Sequence, residues 1–363
     1  VKPTNPQAAE EAPKKLPWRL TSFGWDHSAT TETVGIGQDT QSRNPTYEMS
    51  FVLQPRYYLW EAADPTQSIS LRGRLDLIRE FTNSDSTTDE GEWTFSDFSI
   101  FPQYSVTAMK DGDFSTDFAV RLPTLGFPTS KTSANNGRII QVGAMLIAAQ
   151  AVPVMGTESP VLQTFTLTGR AGYSHWFTEA TQPVNDDLNR VRTGPDGRAL
   201  PGDQLGGAAN VEHSITFDII GALALHERVT WTNWFQWGLG YKYRFENVPI
   251  CNASTGCVTP STVDEPTNHS VTTLFNTELA FDVLKEMEID IGYANLAPQI
   301  GPDGQRRNIF YSPDARVYLT FVAKLDEIYL SATGTRPPEP KTARSEKARI
   351  VAGNTKRSVT QNR

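Results

Sequence analysis

The sequence has only two cysteines and five histidines, and no apolar run near the ~18–20 residues that a membrane-crossing helix needs. Its best candidate, Val142 to Ala149, is short and soon meets Gln150 and Pro153. A disulfide scaffold and a helical membrane protein are both excluded. Basic surplus is missing too. The formal net charge is −8, which excludes a nucleic-acid partner, because phosphate binding needs a basic footprint. Neither an initiating Met nor a charged-then-apolar signal segment is present, so the numbering is expected to start at a mature N-terminus. Gly-rich phosphate loops, zinc-type ligand spacings and nucleophile elbows are also absent. No cofactor and no metal are therefore expected.

What is present favours strands and turns: 26 Gly, 24 Pro and 10% aromatic residues. Charged residues make up 20% of the chain and the mean hydropathy is −0.41. That average suits a soluble protein, but it also suits a barrel whose strands each turn one face to a wet interior.

Residues 1–16, rich in Pro, Ala, Glu and Lys, read as a flexible leader, and residues 333–363 as a polar, basic tail. Between them, residues 17–332 repeat one pattern, alternation at period two, the mark of a strand with two unlike faces. Ile69, Leu71, Gly73, Leu75 and Leu77 oppose Ser68, Ser70, Arg72, Arg74, Asp76 and Glu80. Ile215, Phe217, Ile219, Gly221, Leu223 and Leu225 oppose Glu212, Ser214, Thr216 and Asp218. Val229, Trp231, Phe235, Trp237, Leu239, Tyr241, Tyr243 and Phe245 oppose Arg228, Thr230, Thr232, Gln236, Lys242 and Arg244. Val271–Val283, Met287–Tyr293 and Arg316–Lys324 repeat it. Such runs of roughly 9–15 residues exceed the ordinary soluble strand and suffice for a tilted bilayer crossing.

Connections alternate short and long. Tight ones fall at Ala62–Thr66, Lys110–Asp113, Val154–Ser159, His226–Glu227 and Lys285–Glu286. Long polar ones fall at Ser28–Thr46, Thr82–Gly91, Gly126–Arg138, Glu179–Asn210, Glu246–His269 and Ala297–Asn308. Aromatic residues gather toward strand ends, at Tyr57, Tyr58 and Trp60, at Phe81, Trp93 and Phe95, at Tyr173, Trp176 and Phe177, at Tyr241, Tyr243 and Phe245, and at Phe310 and Tyr311. They are expected to form interfacial girdles. The fold class that follows is all-β: a transmembrane antiparallel up-and-down barrel with short periplasmic turns and long extracellular loops. About twelve strands are counted, with ten and fourteen also compatible.

With Trp231 to Phe245 as its most characteristic strand, the chain from Trp18 to about Ala332 resembles the broad class of Gram-negative outer-membrane β-barrels. The resemblance implies the outer membrane as location, with its lipid and lipopolysaccharide as surroundings. The end departs from the class pattern, in which a final strand closes the chain on an aromatic residue. Either Tyr318 to Phe321 serves as an internal assembly signal or the tail has a role of its own. Lipid hydrolases of this class use a His two residues before a Ser, a spacing absent here. Asp26 and His27 are adjacent and so point to opposite faces. An enzyme is not expected, and an outer-membrane hydrolase is the least favoured of three functional readings.

The polar face is expected to line the lumen through Arg72, Arg74, Asp76, Arg121, Arg170, Asp218, Lys242, Arg244, Glu278, Asp282, Glu288, Asp290 and Arg316. Along the chain the late strands run acidic, basic, acidic, acidic, basic. Cross-strand pairing and a narrow, weakly selective lumen are therefore expected. Lys242 and Arg244 are expected to face Glu278 and Asp218. Cys251 and Cys257 suit a small disulfide within one loop. Acidic residues in the loops (Asp85, Asp89 and Glu90; Asp186, Asp187, Asp196 and Asp203; Asp264 and Glu265) read as solvated surface, and the two Gly-Pro-Asp-Gly runs as turns. The functional expectation is passive passage of small hydrophilic solutes. The alternative is an occluded barrel that docks a protein partner at its extracellular loops or basic tail.

Overall fold

The computed structural model describes residues 15–31, 46–64, 66–82, 91–155, 159–179, 181, 209–243, 250–252, 256–258, 268–298, 306–312 and 315–335. In chain order these form β1 (Ser22–Thr30), β2 (Tyr47–Gln54), β3 (Arg56–Glu61), β4 (Gln67–Glu80), β5 (Trp93–Phe95), β6 (Phe98–Asp111), β7 (Phe114–Phe127), α1 (Lys131–Asn135), β8 (Arg138–Pro153) and β9 (Thr164–Thr178). There follow β10 (Val211–His226), β11 (Val229–Lys242), β12 (Ile250–Asn252), β13 (Gly256–Val258), β14 (His269–Asp282), β15 (Met287–Pro298), β16 (Arg316–Lys324) and α2 (Leu325–Thr333). Most of the leader and of the basic tail, Arg244, Phe245, the acidic loop residues named above and both Gly-Pro-Asp-Gly runs lie outside the described residues.

These segments build a closed antiparallel meander of twelve strands. Two strands are each made of two segments. Pro55, which has no N–H to give the ladder, separates β2 from β3, and both pair with β4. Ser96 and Asp97 separate β5 from β6, which also share β4 as a neighbour. Closure comes from β1, which pairs with β2 on one side and with β16 on the other. The register of β6 on β7 shifts between Ile100 and Gln103, and that of β7 on β8 between Arg121 and Thr124. Pro102 and Pro123 sit in those two intervals, where a missing donor breaks the ladder.

Alternation sorts the side chains as the sequence indicates. Phe217, Ile219, Leu146, Leu122, Ile291 and Trp231 point outward and are exposed, while Ser70, Asp76, Thr168, Asp218 and Thr320 on the opposite faces are buried. In water so apolar an exterior would be untenable; against hydrocarbon it is the expected surface. The barrel is an integral membrane protein. Its girdle differs from expectation at two residues. Trp176 is buried inside, capped by the Arg138 guanidinium at 4.4 Å, and Tyr58 lies beneath that of Arg19 at 3.6 Å. Tyr57 and Tyr58 are neighbours in a strand, so only one can face lipid.

The ends of the barrel also differ from the sequence reading. The first strand runs from Ser22 to Thr30 rather than from Trp18, and the last stops at Lys324. Leu325–Thr333 is a helix, with Asp326 and Glu327 in its first turn, where the helix dipole favours them. Asp326 is buried and accepts the backbone N–H of Leu20 at 2.8 Å, and Tyr329 packs edge-on to Trp18 at 5.4 Å. Helix α2 and the segment before β1 thus clasp each other at the periplasmic end. In the loop after β11, β12 and β13 form a small hairpin that sets the backbones of Cys251 and Cys257 directly opposite one another. A bond between the two sulfurs is not part of the described structure.

Candidate functional site: the lumen

The inward faces make two unequal spaces. The larger, about 400 Å³, is lined among the described residues by Arg56, Arg72, Arg74, Arg121 and Arg170 against a single carboxylate, Asp218. The smaller, about 80 Å³, is lined by Asp26, Glu48, Asp76, Glu278 and Asp290 with Arg74 and Arg316. Arg74 borders both and holds Asp76 at 2.8 Å.

In the larger space each arginine is fixed by its neighbours. Asp218 stands directly opposite Arg170 across β9 and β10, and the two ion-pair at 3.0 Å with almost no exposure of either side chain. The same carboxylate accepts the Trp234 indole N–H at 2.9 Å and the Gln236 amide at 2.7 Å. Arg170 lies over the Trp234 ring at 5.0 Å, so charge, ring and amide hold one another. Arg121 donates to Gln103 at 3.0 Å and lies over Phe101 at 4.6 Å. Arg72 donates to Ser70 at 3.2 Å. Arg56 and Arg121 both press on Arg72 by like-charge repulsion, and Arg170 and Arg56 on Arg121. The side chain of Leu20, in the left-handed backbone region at φ 63°, borders this space from the periplasmic end. Ile220, Trp234 and Leu274 form a buried apolar cluster with Leu296, and Trp234, Leu274 and Leu296 are also part of the wall of this space.

On the acidic side Tyr318 of β16 lies along the inner wall, over Gly292 of β15, and reaches β14. Its hydroxyl donates to Glu278 at 2.9 Å and accepts from Asn276 at 2.7 Å. The ring passes so close to Gly292 that no side chain would fit there. Arg316 pairs with Glu48, and Asp290 is fully buried. At the periplasmic rim Lys324 gathers Asp282 at 2.5 Å and Glu288 at 3.1 Å.

Twelve of the thirteen residues expected in the lumen are described, and each stands on an inward-facing position of its strand; Arg244 is not among the described residues. The expected pairing needs correction. Asp218 is held by Arg170, Trp234 and Gln236, and Glu278 by Tyr318, rather than either of them by Lys242. Lys242 lies at the extracellular end of β11, away from both spaces. Nor are the signs evenly mixed around the ring, because arginines from β3, β4, β7 and β9 converge at one height. Sequence reasoning counts Arg56 among the basic residues of the polar face without assigning it to the lumen set, and misses Phe101, Trp234 and Tyr318. Each of the three left a local signal, a bulky residue on the largely polar face of its strand: Phe101 in β6, Trp234 in β11 and Tyr318 in β16.

Neither a known protein family nor a curated protein matches the chain in sequence. Among solved structures it is similar to the COG4313 outer membrane channel from Pseudomonas putida F1. The TM-score is 0.50 at 9% identity, over 87% of this chain and 99% of that one. Weaker likenesses include the KdgM porin (TM-score 0.31, 7% identity, 83% and 98% covered) and outer membrane phospholipase A from Escherichia coli (TM-score 0.34, 10% identity, 85% and 93% covered). At such identities the likeness concerns the fold alone.

Proposed function

We propose that this barrel is a passive channel for small hydrophilic solutes and that it favours anions. The observation that carries the reading is the mid-barrel space of about 400 Å³ with, among the described residues, five arginines and one carboxylate on its wall. Guanidinium groups in a confined, water-poor site attract carboxylates and phosphates, which they can grip through two parallel hydrogen bonds. A lining of one dominant sign makes a pore selective. This replaces the unselective lumen expected from charge order along the chain.

In planar bilayers under a salt gradient, the wild-type protein should conduct and its reversal potential should have the sign of an anion-preferring pore. Arg72→Gln/Arg121→Gln should shift that potential toward the cation side. A cation-preferring wild-type pore would refute the reading. Bilayers that stay silent would instead favour an occluded barrel acting through its loops or tail. The apolar cluster of Ile220, Trp234 and Leu274 and the position of Leu20 support that second reading.

The loop hairpin is proposed to carry a disulfide between Cys251 and Cys257, whose backbones face each other. Mass spectrometry without reduction should find the two joined within one chain. Alkylation of both thiols in native, unreduced protein would exclude the bond.

A further inference from the structure

On the outer face near the extracellular end, the register sets His175 of β9 directly opposite His213 of β10. A shift of pairing between Val211 and His213 on the other side of β10 brings Glu212 into the same group. Nδ1 of His175 lies 3.2 Å from Nδ1 of His213, and a Glu212 carboxylate oxygen lies 3.4 Å from Nε2 of His213. One ligating atom from each of the three lies within 4.8 Å of the others. We propose that these residues form a clasp for a divalent transition metal of the Zn²⁺ type.

The chemistry and the spacing both favour such an ion. Imidazole and carboxylate are zinc ligands, and bonds of about 2.0–2.1 Å in a tetrahedron hold ligand atoms roughly 3.3 Å apart. The two imidazoles already stand at that spacing. The Glu212 carboxylate, which contacts Nε2 of His213, swings toward the two Nδ1 atoms to close the third bond. Both rings are held in place beforehand. Tyr173 stacks on His213 at 5.9 Å with its hydroxyl 2.8 Å from Nδ1, and Phe177 meets His175 edge-on at 4.3 Å. The His213 and Glu212 side chains are 38% and 33% exposed, so an ion can reach them from outside. Three protein ligands leave the fourth position to water. The long connection leaves β9 at Thr178 and returns at Val211. An ion here would therefore tie together the two ends of that loop at its base.

Without metal, the same geometry is a hydrogen bond in which one imidazole donates to the other, and the experiment separates the two. Refolded full-length protein in detergent is titrated with Zn²⁺ by calorimetry at neutral pH, and with Co²⁺ by visible absorption. Wild type should bind one equivalent, with the Co²⁺ spectrum of a tetrahedral site. His175→Gln/His213→Gln should weaken binding by more than about 100-fold, since even groups that only orient a ligand are worth about 10–100-fold. His226→Gln, at the opposite end of β10, should bind as wild type does. Heat-modifiable electrophoretic mobility reports folding. If the double variant does not fold, Glu212→Gln, which keeps both imidazoles, must still weaken binding. No stoichiometric binding by wild type, or equal binding by the folded double variant, would overturn the clasp.

Discussion

The two walls of the lumen are made by the same alternating strands, yet they handle charge differently. On the basic wall, four strands bring arginines to one height around a sizeable space, and one buried carboxylate anchors them through Arg170. On the acidic wall, the carboxylates are spread among Tyr318, Arg316 and Lys324, and the space between them is small. A guanidinium is long, so arginines on strands that are not neighbours can meet inside a narrow barrel. Short carboxylates cannot reach so far and take whichever donor stands beside them. The basic wall thus keeps room for a solute, while the acidic wall is packed.

The comparison would break most severely at Asp218. Asp218→Ala strips the buried Arg170 of its partner, and an uncompensated buried charge costs about 3–5 kcal/mol. Urea unfolding of the protein refolded in lipid vesicles measures it. A loss below about 1 kcal/mol would mean that water, not Asp218, solvates the basic wall. The packed state of the acidic wall is tested next by Gly292→Ala, which drives a methyl group into the Tyr318 ring. Overpacking of this kind costs about 1–3 kcal/mol, and no loss at all would show that Tyr318 has room to move. The smallest effect is expected at Lys324, whose side chain is 26% exposed. Lys324→Gln should cost about 0.5–1 kcal/mol and become harmless at high salt, because water and ions screen a rim pair. A salt-independent loss would mark the rim as buried rather than wet.

Much of this was legible in the residues because facing is a local property. Ile69, Leu71 and Leu75 alternate with Ser70, Arg72 and Arg74 whatever lies on the neighbouring strand, so the outward and inward sides could be assigned one strand at a time. Partners could not. Lys242 carries the right charge to meet Glu278, but it stands at the wrong height, and Tyr318 reaches Glu278 instead. The His175, Glu212 and His213 cluster was hidden for a related reason. His175 lies far along the chain from the adjacent pair Glu212 and His213, and the three meet through the β9–β10 register and a shift at the start of β10.

The sequence by itself determined that the chain is a membrane barrel of about twelve strands, which side of each strand meets lipid, and where the turns and loops fall. Period-two alternation and strand length suffice for that, since each acts within a single strand. Only the tertiary structure decided which charges share a space. Closure, register and strand tilt place side chains from distant strands at one height, and electrostatic contact depends on that height. The basic mid-barrel space follows from how the sheet closes on itself.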